Sequence, residues 1–427
     1  MTLNLAPLLP CSPAAVGFAD LRLAVISPFV DRSHGTERAL AELLERLAQR
    51  HHCEIHLYSQ RVEDIAVCAP DAERTEKAGG IFWHRVPRLP GPHLLAFVGW
   101  LAANSLLRWC HRLLHRAPFD LVLSPGINSL SADVVIVHAL FHRLREISQD
   151  KNADTGIRAE FFHRMHRRAY YALLATLERR IYGDLNVLVA CVSQRTADLL
   201  AHYFQRYDVR VIPNGIDAAQ FSPSLRLARR TQARLSRNFQ STDFVLLLLG
   251  NDWDVKGVPT ILAAMAAVPN LTLHLLVAGT DVVEPFREMA GRLNISTRFR
   301  WEPPQHDAMD FYAAADLYVS PSREDSFGLP VLEAMACGLP VITSIFAGVA
   351  ELITDTVDGF VLHDPNDSQA LAQLLERLYL DESLRKRIAE AAVLTAKQWT
   401  WDRNGAELWE LLECAAEKKM AATNSDR

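Results

Sequence analysis

"SREDSFGLPVLEAMACGLPVI", residues 322–342, sets a Gly-Leu-Pro tripeptide behind an acidic pair, Glu324 and Asp325, and repeats the tripeptide ten residues later. The apolar run "ADLYVSPS" (315–322) leads into it and "LPVITS" (339–344) leads out, so the stretch reads as strand, loop, helix, strand. Pro330 suits a first helical turn, where its missing N–H is not needed; Ser326 or Asp325 is expected to cap a helix starting at about Leu329 and ending at Gly338. Such a start presents the N–H groups of Phe327, Gly328 and Leu329 with a partial positive charge, a ready site for phosphate, and Gly328 lets a ligand come close. Glu333, about one turn inside, suits a vicinal diol such as a ribose, and Asp325 a second set of hydroxyls across the phosphates. By spacing alone, a capping Asp325 and a surface ion pair at Glu333 explain the same acids, and both readings stay open.

The alternation extends in both directions. Runs at 21–29, 54–59, 121–126, 133–140, 186–193 and 209–215 are strands separated by helical segments, among them a long Arg-rich helix over roughly residues 156–182. After "IPNGIDAAQFSP" (212–223), rich in turn signals, the alternation restarts with runs at 244–252, 271–279, 297–302, 315–322, 339–344 and 359–364. Continuous apolar strands between helices mean parallel sheets covered on both faces. The expected architecture is α/β: two doubly wound Rossmann-like domains facing a central cleft, at 1–213 and 214–395, with an aromatic-anchored helix at 396–427 crossing back to the first.

Composition narrows the function classes. A chain of 427 residues suits two domains of about 200 residues each. With 49% hydrophobic and 22% charged residues it is neither disordered nor fibrous, and a net charge of −5 gives no global reason to expect nucleic-acid binding. Seven scattered cysteines without a C-x-x-C pair argue against a disulfide framework or structural zinc, and a basic signal-peptide start is missing before Arg22, so a reducing, cytoplasmic location is expected.

The stretch "PSREDSFGLPVLEAMACGLPV" resembles the donor-site signature of the retaining glycosyltransferases of family 4, which have the GT-B fold; "IPNGIDAAQFSP", "GNDWDVKGVPTILAA" (250–264), "FYAAADLYVSPS" (311–322) and "AGVAELI" (347–353) are similar to further segments of that family. Within it the chain looks most like the lipopolysaccharide-core glucosyltransferases. The resemblance implies transfer of a hexose from a nucleoside diphosphate sugar, UDP favoured, to a glycolipid or polysaccharide acceptor, with retained configuration and without cofactor or metal. It places Asp325, where the family normally has Glu, or the adjacent Glu324, at the sugar; Lys256 at the diphosphate; and Ser326, Phe327, Gly328, Leu329 and Glu333 around the nucleotide. Asn251 stands where many members have Arg. In the first domain Gly35 and Thr36 lie in the loop before the first helix, a kind of loop that can approach the donor phosphates and the acceptor, and His138, ahead of His142, resembles the strand-end His expected near the transferred sugar. "DWD" (252–254) reads as turn and cap rather than a metal site, and the leaving phosphate itself is the expected base toward the acceptor.

Segment 94–116 joins an apolar stretch to Arg108, His111, Arg112, His115 and Arg116, with Trp100 and Trp109 for the interface, and segment 158–180 adds six Arg against two Glu. They read either as a peripheral seat on anionic membrane at the inner face or as packed helices with solvated Arg faces. Two other readings stand beside the main one: a non-catalytic sugar-nucleotide-binding subunit, suggested by Asp325 and Asn251, and a GT-B sugar-nucleotide epimerase. A dinucleotide dehydrogenase is disfavoured because no G-x-G-x-x-G follows the first strand of either half.

Overall fold

The structure, a computed structural model, describes residues 21–32, 35–68, 79–115, 119–150, 159–305 and 307–425. The chain forms two compact units, Met1–Ile212 with Asp402–Arg427, and Pro213–Trp401. In the first, β1 (Arg22–Ile26) leads through a short β2 (Phe29–Val30) into α1 (Gly35–Arg50), followed by β3 (Glu54–Ser59), a short β4 (Arg61–Val62) and β5 (Gly80–Arg85). Then come α2 (His93–His115), β6 (Leu121–Pro125), β7 (Val134–Val137), α3 (Phe141–Asp150), α4 (Ala159–Tyr182), β8 (Leu188–Cys191), α5 (Gln194–Phe204) and β9 (Val209–Val211). The main sheet has the order β5-β3-β1-β6-β7-β8-β9, every neighbouring pair parallel. Residues 156–158, where the Arg-rich helix was expected to begin, lie outside the described residues. The strand β5 escapes the sequence reading because "GIFWHR" is an edge strand that mixes polar and aromatic residues instead of running continuously apolar.

The second unit begins with α6 (Pro223–Leu235) and continues β10 (Phe244–Leu249), α7 (Val258–Ala267), β11 (Leu273–Ala278), α8 (Glu284–Arg292), β12 (Phe299–Glu302), α9 (Met309–Ala314), β13 (Leu317–Ser320), α10 (Leu329–Ala336), β14 (Val341–Ser344), β15 (Phe360–Leu362), α11 (Ser368–Leu380) and α12 (Glu382–Ala396). Its parallel sheet has the order β12-β11-β10-β13-β14-β15. The central strands justify the pattern: every residue of β10, "FVLLLL", is buried, because helices cover both faces. Counted from its first strand, each main sheet reverses direction after that strand, at β1/β6 and at β10/β13. Such a switch point opens a crevice at the carboxyl ends of the strands, where ligands of open α/β sheets bind.

The last helix, α13 (Trp401–Ser425), belongs to the first unit apart from its opening residue. Leu408, Leu411, Leu412, Ala415 and Ala416 enter the core formed by Val25, Leu40, Leu44 and Leu47. Asp402 accepts hydrogen bonds from Arg46 Nε (3.0 Å) and Arg50 Nη2 (2.6 Å), and Trp409 stacks on His51 with ring centroids 4.4 Å apart.

Candidate functional site

Two loops leave the carboxyl ends of β10 and β13, the strands flanking the switch point of the second unit. The first, Gly250 to Gly257, carries Lys256 and leads into α7; the second, Pro321 to Gly328, carries Asp325 and leads into α10. Both end in the same local device. Gly257 (φ +88°) and Gly328 (φ +93°) are the N-caps, both left-handed, neither helix start has a side-chain cap, and Pro259 and Pro330 lie in the first turns. A left-handed cap demands Gly at both places. The first-turn amides are thus served by no capping side chain, which corrects the expectation that Ser326 or Asp325 caps α10: the cap is Gly328.

Asp325 is occupied elsewhere. One carboxylate oxygen pairs with Lys256 Nζ from the other loop, and the second lies 3.4 Å from the Phe327 amide. Its backbone is fixed as well, the Asp325 N–H donating to Phe346 O (3.0 Å) and its carbonyl accepting from Gly348 N–H (3.0 Å). Arg323 makes a second bridge, donating its backbone N–H to Val255 O (2.7 Å) and pairing with the Asp254 carboxylate at 2.5 Å. Lys256, Asp325, Phe327 and Gly328 therefore gather at one place. Glu324 and Ser326 are half-buried beside them, while Leu329 is buried.

"DWD" is a turn, as expected: Asp252 has φ +58°, Trp253 is fully buried with its indole N–H donating to Gly250 O (2.8 Å), and Asp254 is held by Arg323. Asn251 does not point alone into the loop's opening. Its side-chain oxygen accepts from both the backbone N–H (2.9 Å) and hydroxyl (3.0 Å) of Thr280, clamping the loop to the end of β11.

Glu333 lies in the second turn of α10 and is only 4% exposed, too enclosed for the surface ion pair that its spacing also allowed. The Tyr312 hydroxyl donates to its carboxylate at 2.5 Å, which fixes the orientation of the acid. Burial is the main reason the Tyr312 phenol is driven far above its ordinary range, with the charge of Glu333 adding to it, so Tyr312 acts as a donor. Tyr312 is itself positioned by arginines of α6: Arg226, Arg230 and Arg234 donate to the carbonyls of Ala313, Ala314 and Ala315 at the carboxyl end of α9, where cations meet unsatisfied carbonyls. Arg230 and Arg234 also pair with Asp316. Tyr312, Arg323 and the Gly257-Val258-Pro259 start were not singled out from sequence, although the recurrence of Gly-x-Pro at 257–259 and 328–330 would have revealed the last.

In the first unit, Gly35 and Thr36 open α1, both exposed, after β1 and β2. His138 directly follows β7 at its carboxyl end; burial lowers its pKa to about 4 against a smaller raising effect of the Ile136 backbone, so its imidazole is neutral at neutral pH. His142 is held by a carboxylate. Glu178 of α4 accepts from the N–H groups of Phe141 (2.7 Å) and His142 (3.0 Å) and from His142 Nδ1 (2.6 Å), capping α3 from a neighbouring helix. Burial is the largest effect on Glu178 and raises its pKa despite those bonds.

The basic, aromatic helix α2 divides its residues. Trp100 and Arg108 turn inward, Arg108 donating to Asn104 Oδ1, Ser129 Oγ and Ser131 Oγ at 3.2–3.3 Å, which removes them from the proposed membrane seat. Leu95, Val98, Leu106, Trp109 and Leu113 are exposed at helical spacing. Arg116 lies outside the described residues. Among the described residues no helix is long and apolar enough to cross a membrane.

Comparison with known proteins follows the same division. Residues 33–220 match the model of Glycosyltransferase Family 4 and residues 229–394 that of Glycosyl transferases group 1. The chain is 32% identical over 255 residues to a D-inositol 3-phosphate glycosyltransferase of Salinispora arenicola, a match covering 55% of this chain and 56% of that protein, little more than half of the relative's length. It is 27% identical over 291 residues to the lipopolysaccharide glucosyltransferase WaaG of Escherichia coli, covering 66% and 74%. The crystal structure of WaaG superposes with a TM-score of 0.71 at 21% identity, over 91% of this chain and 99% of that one. HepE of Anabaena, in complex with UDP and glucose, does so with 0.66 at 18% identity, over 92% and 100%. With a family match on each unit and a shared two-domain α/β fold, the chain belongs to the family 4, group 1 glycosyltransferases and has the GT-B fold.

Proposed function

We propose that the protein transfers a hexose from a nucleoside diphosphate sugar, with retention of configuration, to a glycolipid or polysaccharide acceptor. The observation that carries this reading is the Lys256–Asp325 pair joining two glycine-capped helix starts at the switch point of the second unit. Backbone amides and helix dipoles there suit a diphosphate, and Lys256 exchanges Asp325 for phosphate when the donor binds, then stabilises the charge that grows on the leaving group. Asp325, released, orients the hexose hydroxyls, with Glu324 beside it; Glu333 holds the ribose; Ser326, Phe327, Gly328 and Leu329 line the phosphates; Asn251 shapes the loop. Gly35 and Thr36 take part in binding the donor phosphates, and His138 lies near the transferred sugar, where a neutral imidazole suits contact with hydroxyls. No metal or cofactor enters this scheme, and the leaving phosphate takes the acceptor proton.

UDP sugars head the list of donors because HepE has been crystallised with UDP-glucose, and lipopolysaccharide synthesis heads the list of settings because WaaG is named for it. The exposed apolar stripe of α2 supports peripheral attachment to the cytoplasmic face of a membrane, near a lipid-linked acceptor. The non-catalytic reading keeps one specific support, the commitment of the Asn251 oxygen to Thr280. A panel of UDP- and GDP-sugars, assayed for released nucleotide with and without glycolipid acceptors, separates the two. Turnover of one donor that is lost in Lys256→Ala is expected; tight UDP binding with no turnover of any donor favours the binding subunit.

A further inference from the structure

Three histidines of the first unit converge from three elements: His56 on β3, His84 on the edge strand β5 and His111 on α2. Each offers one ring nitrogen, and these nitrogens lie within 4.8 Å of one another. His56 Nδ1 is 2.9 Å from His84 Nε2, the rings of His56 and His84 are parallel with centroids 5.1 Å apart, and the His111 ring meets that of His84 edge-on at 4.6 Å. The transferase reading uses none of the three.

We propose that His56, His84 and His111 form a binding site for a borderline divalent transition-metal ion, Zn2+ foremost. Neutral imidazole is the preferred nitrogen ligand of such ions, and three imidazoles with one open position make a familiar tetrahedral set. Bonds of about 2.0–2.1 Å to a tetrahedral zinc place ligand nitrogens about 3.3–3.5 Å apart, so nitrogens now up to 4.8 Å apart close by roughly 1 Å, through rotation of the half-buried His84 and His111 side chains. The surroundings are those of a metal-binding histidine. Glu54 Oε1 lies 2.7 Å from His56 Nε2, so that nitrogen carries the proton and the Nδ1 lone pair faces His84. The Tyr58 hydroxyl lies 2.8 Å from His111 Nδ1 and fixes the orientation of that ring.

Phe82 and Phe119 pack against His56, giving the site an apolar wall. Arg22 brings an opposing charge, 3.5 Å from His56 Nε2, but it is paired with Glu54 at 3.1 Å. Binding costs no net proton: the proton shared between His56 Nδ1 and His84 Nε2 moves to the other nitrogen of His84. The ion fastens the edge strand β5 and the helix α2 to β3, so it acts on the part of the unit that carries the exposed apolar stripe.

The test uses the full chain without a histidine tag, stripped with chelator and titrated with Co2+ alone, followed by visible d–d absorption. One saturable equivalent with the strong bands of a four-coordinate site is expected, displaced by Zn2+. His84→Asn and His111→Asn should each abolish those bands while keeping the native circular dichroism. Glu54→Gln should weaken affinity about 10–100-fold without abolishing it, and His363→Asn, exposed in the second unit, should change nothing. Zn2+ should also raise the melting temperature of the wild type and not that of His84→Asn. Absence of saturable binding, or binding that survives the double substitution His84→Asn/His111→Asn, overturns the proposal.

Discussion

Gly328→Ala tests the donor site most directly, because the same helix supplies its own control. Gly328 and Gly338 bracket α10 with φ of +93° and +69°. Placing an L-residue in the left-handed region costs about 1–2 kcal/mol. An added Cβ at Gly328 would stand 3.1 Å from Val349 Cγ1 and 3.4 Å from Asp325 Oδ2; at Gly338 it would stand 3.3 Å from Pro223 Cγ. Strain and crowding are therefore similar, and both variants should lose about 1–3 kcal/mol of stability. The two positions differ in what they face. Gly328 lies on the Lys256–Asp325 side, whereas Gly338 lies at the far end of a helix about 12 Å long. Isothermal titration with UDP should show affinity falling at least about tenfold in Gly328→Ala, equivalent to about 1.4 kcal/mol, and staying near wild type in Gly338→Ala. Equal UDP affinity in the two variants, at matched stability, would refute the assignment of this helix start to the nucleotide.

Tyr312→Phe removes one hydroxyl from a buried carboxylate and leaves the edge-on packing of the ring on Phe221 in place; with a hydrogen bond to a charged group worth about 1.5–3 kcal/mol, UDP binding should weaken about tenfold or more, and a fall in melting temperature with unchanged UDP affinity would make the contact purely structural. His138 has a folded pKa of about 4 against an ordinary value of 6.5, so below pH 6.5 the unfolded chain takes up a proton that the folded chain refuses, and stability falls as pH drops from 6.5 toward 4. Melts across that window should flatten in His138→Asn; an unaltered slope would show that the imidazole is better hydrated than its burial implies. Trp109→Ser with Leu113→Ser should reduce co-sedimentation with anionic vesicles while leaving the fold intact, whereas Trp100→Ser should destabilise it, since Trp100 is buried; vesicle binding indifferent to the double substitution removes α2 from the membrane reading.

Much of this was legible in the chain because periodicity reports burial directly. Runs such as "FVLLLL" and "VVIV" are apolar throughout, which only strands covered on both faces require, and the sheets follow from them. Asp325 and Gly328 were within reach because a strand-end loop carries turn signals, and Lys256 because "GNDWDVKGVPTILAA" resembles a segment of the family. What stayed hidden depends on contacts between residues distant in sequence. No local pattern announces that Tyr312 meets Glu333 across 21 positions, that Arg108 turns in toward Ser129, or that Glu178 caps a helix 36 positions away. The cap of α10 was misassigned for a related reason: Asp325 is a good capping residue by type, but Lys256 from another loop claims its carboxylate.

The paired glycine caps at Gly257 and Gly328 have a practical consequence for mutational scanning. The groups they expose are main-chain amides, and replacing a neighbouring side chain with alanine leaves every one of them in place. A scan of residues 326–329 that reads only activity would thus rank most of them as dispensable and assign the work to Lys256 and Asp325 alone. Replacing single amides by esters through chemical ligation, or inserting one residue ahead of either proline to turn the helix start aside, would reveal the donors that such a scan passes over.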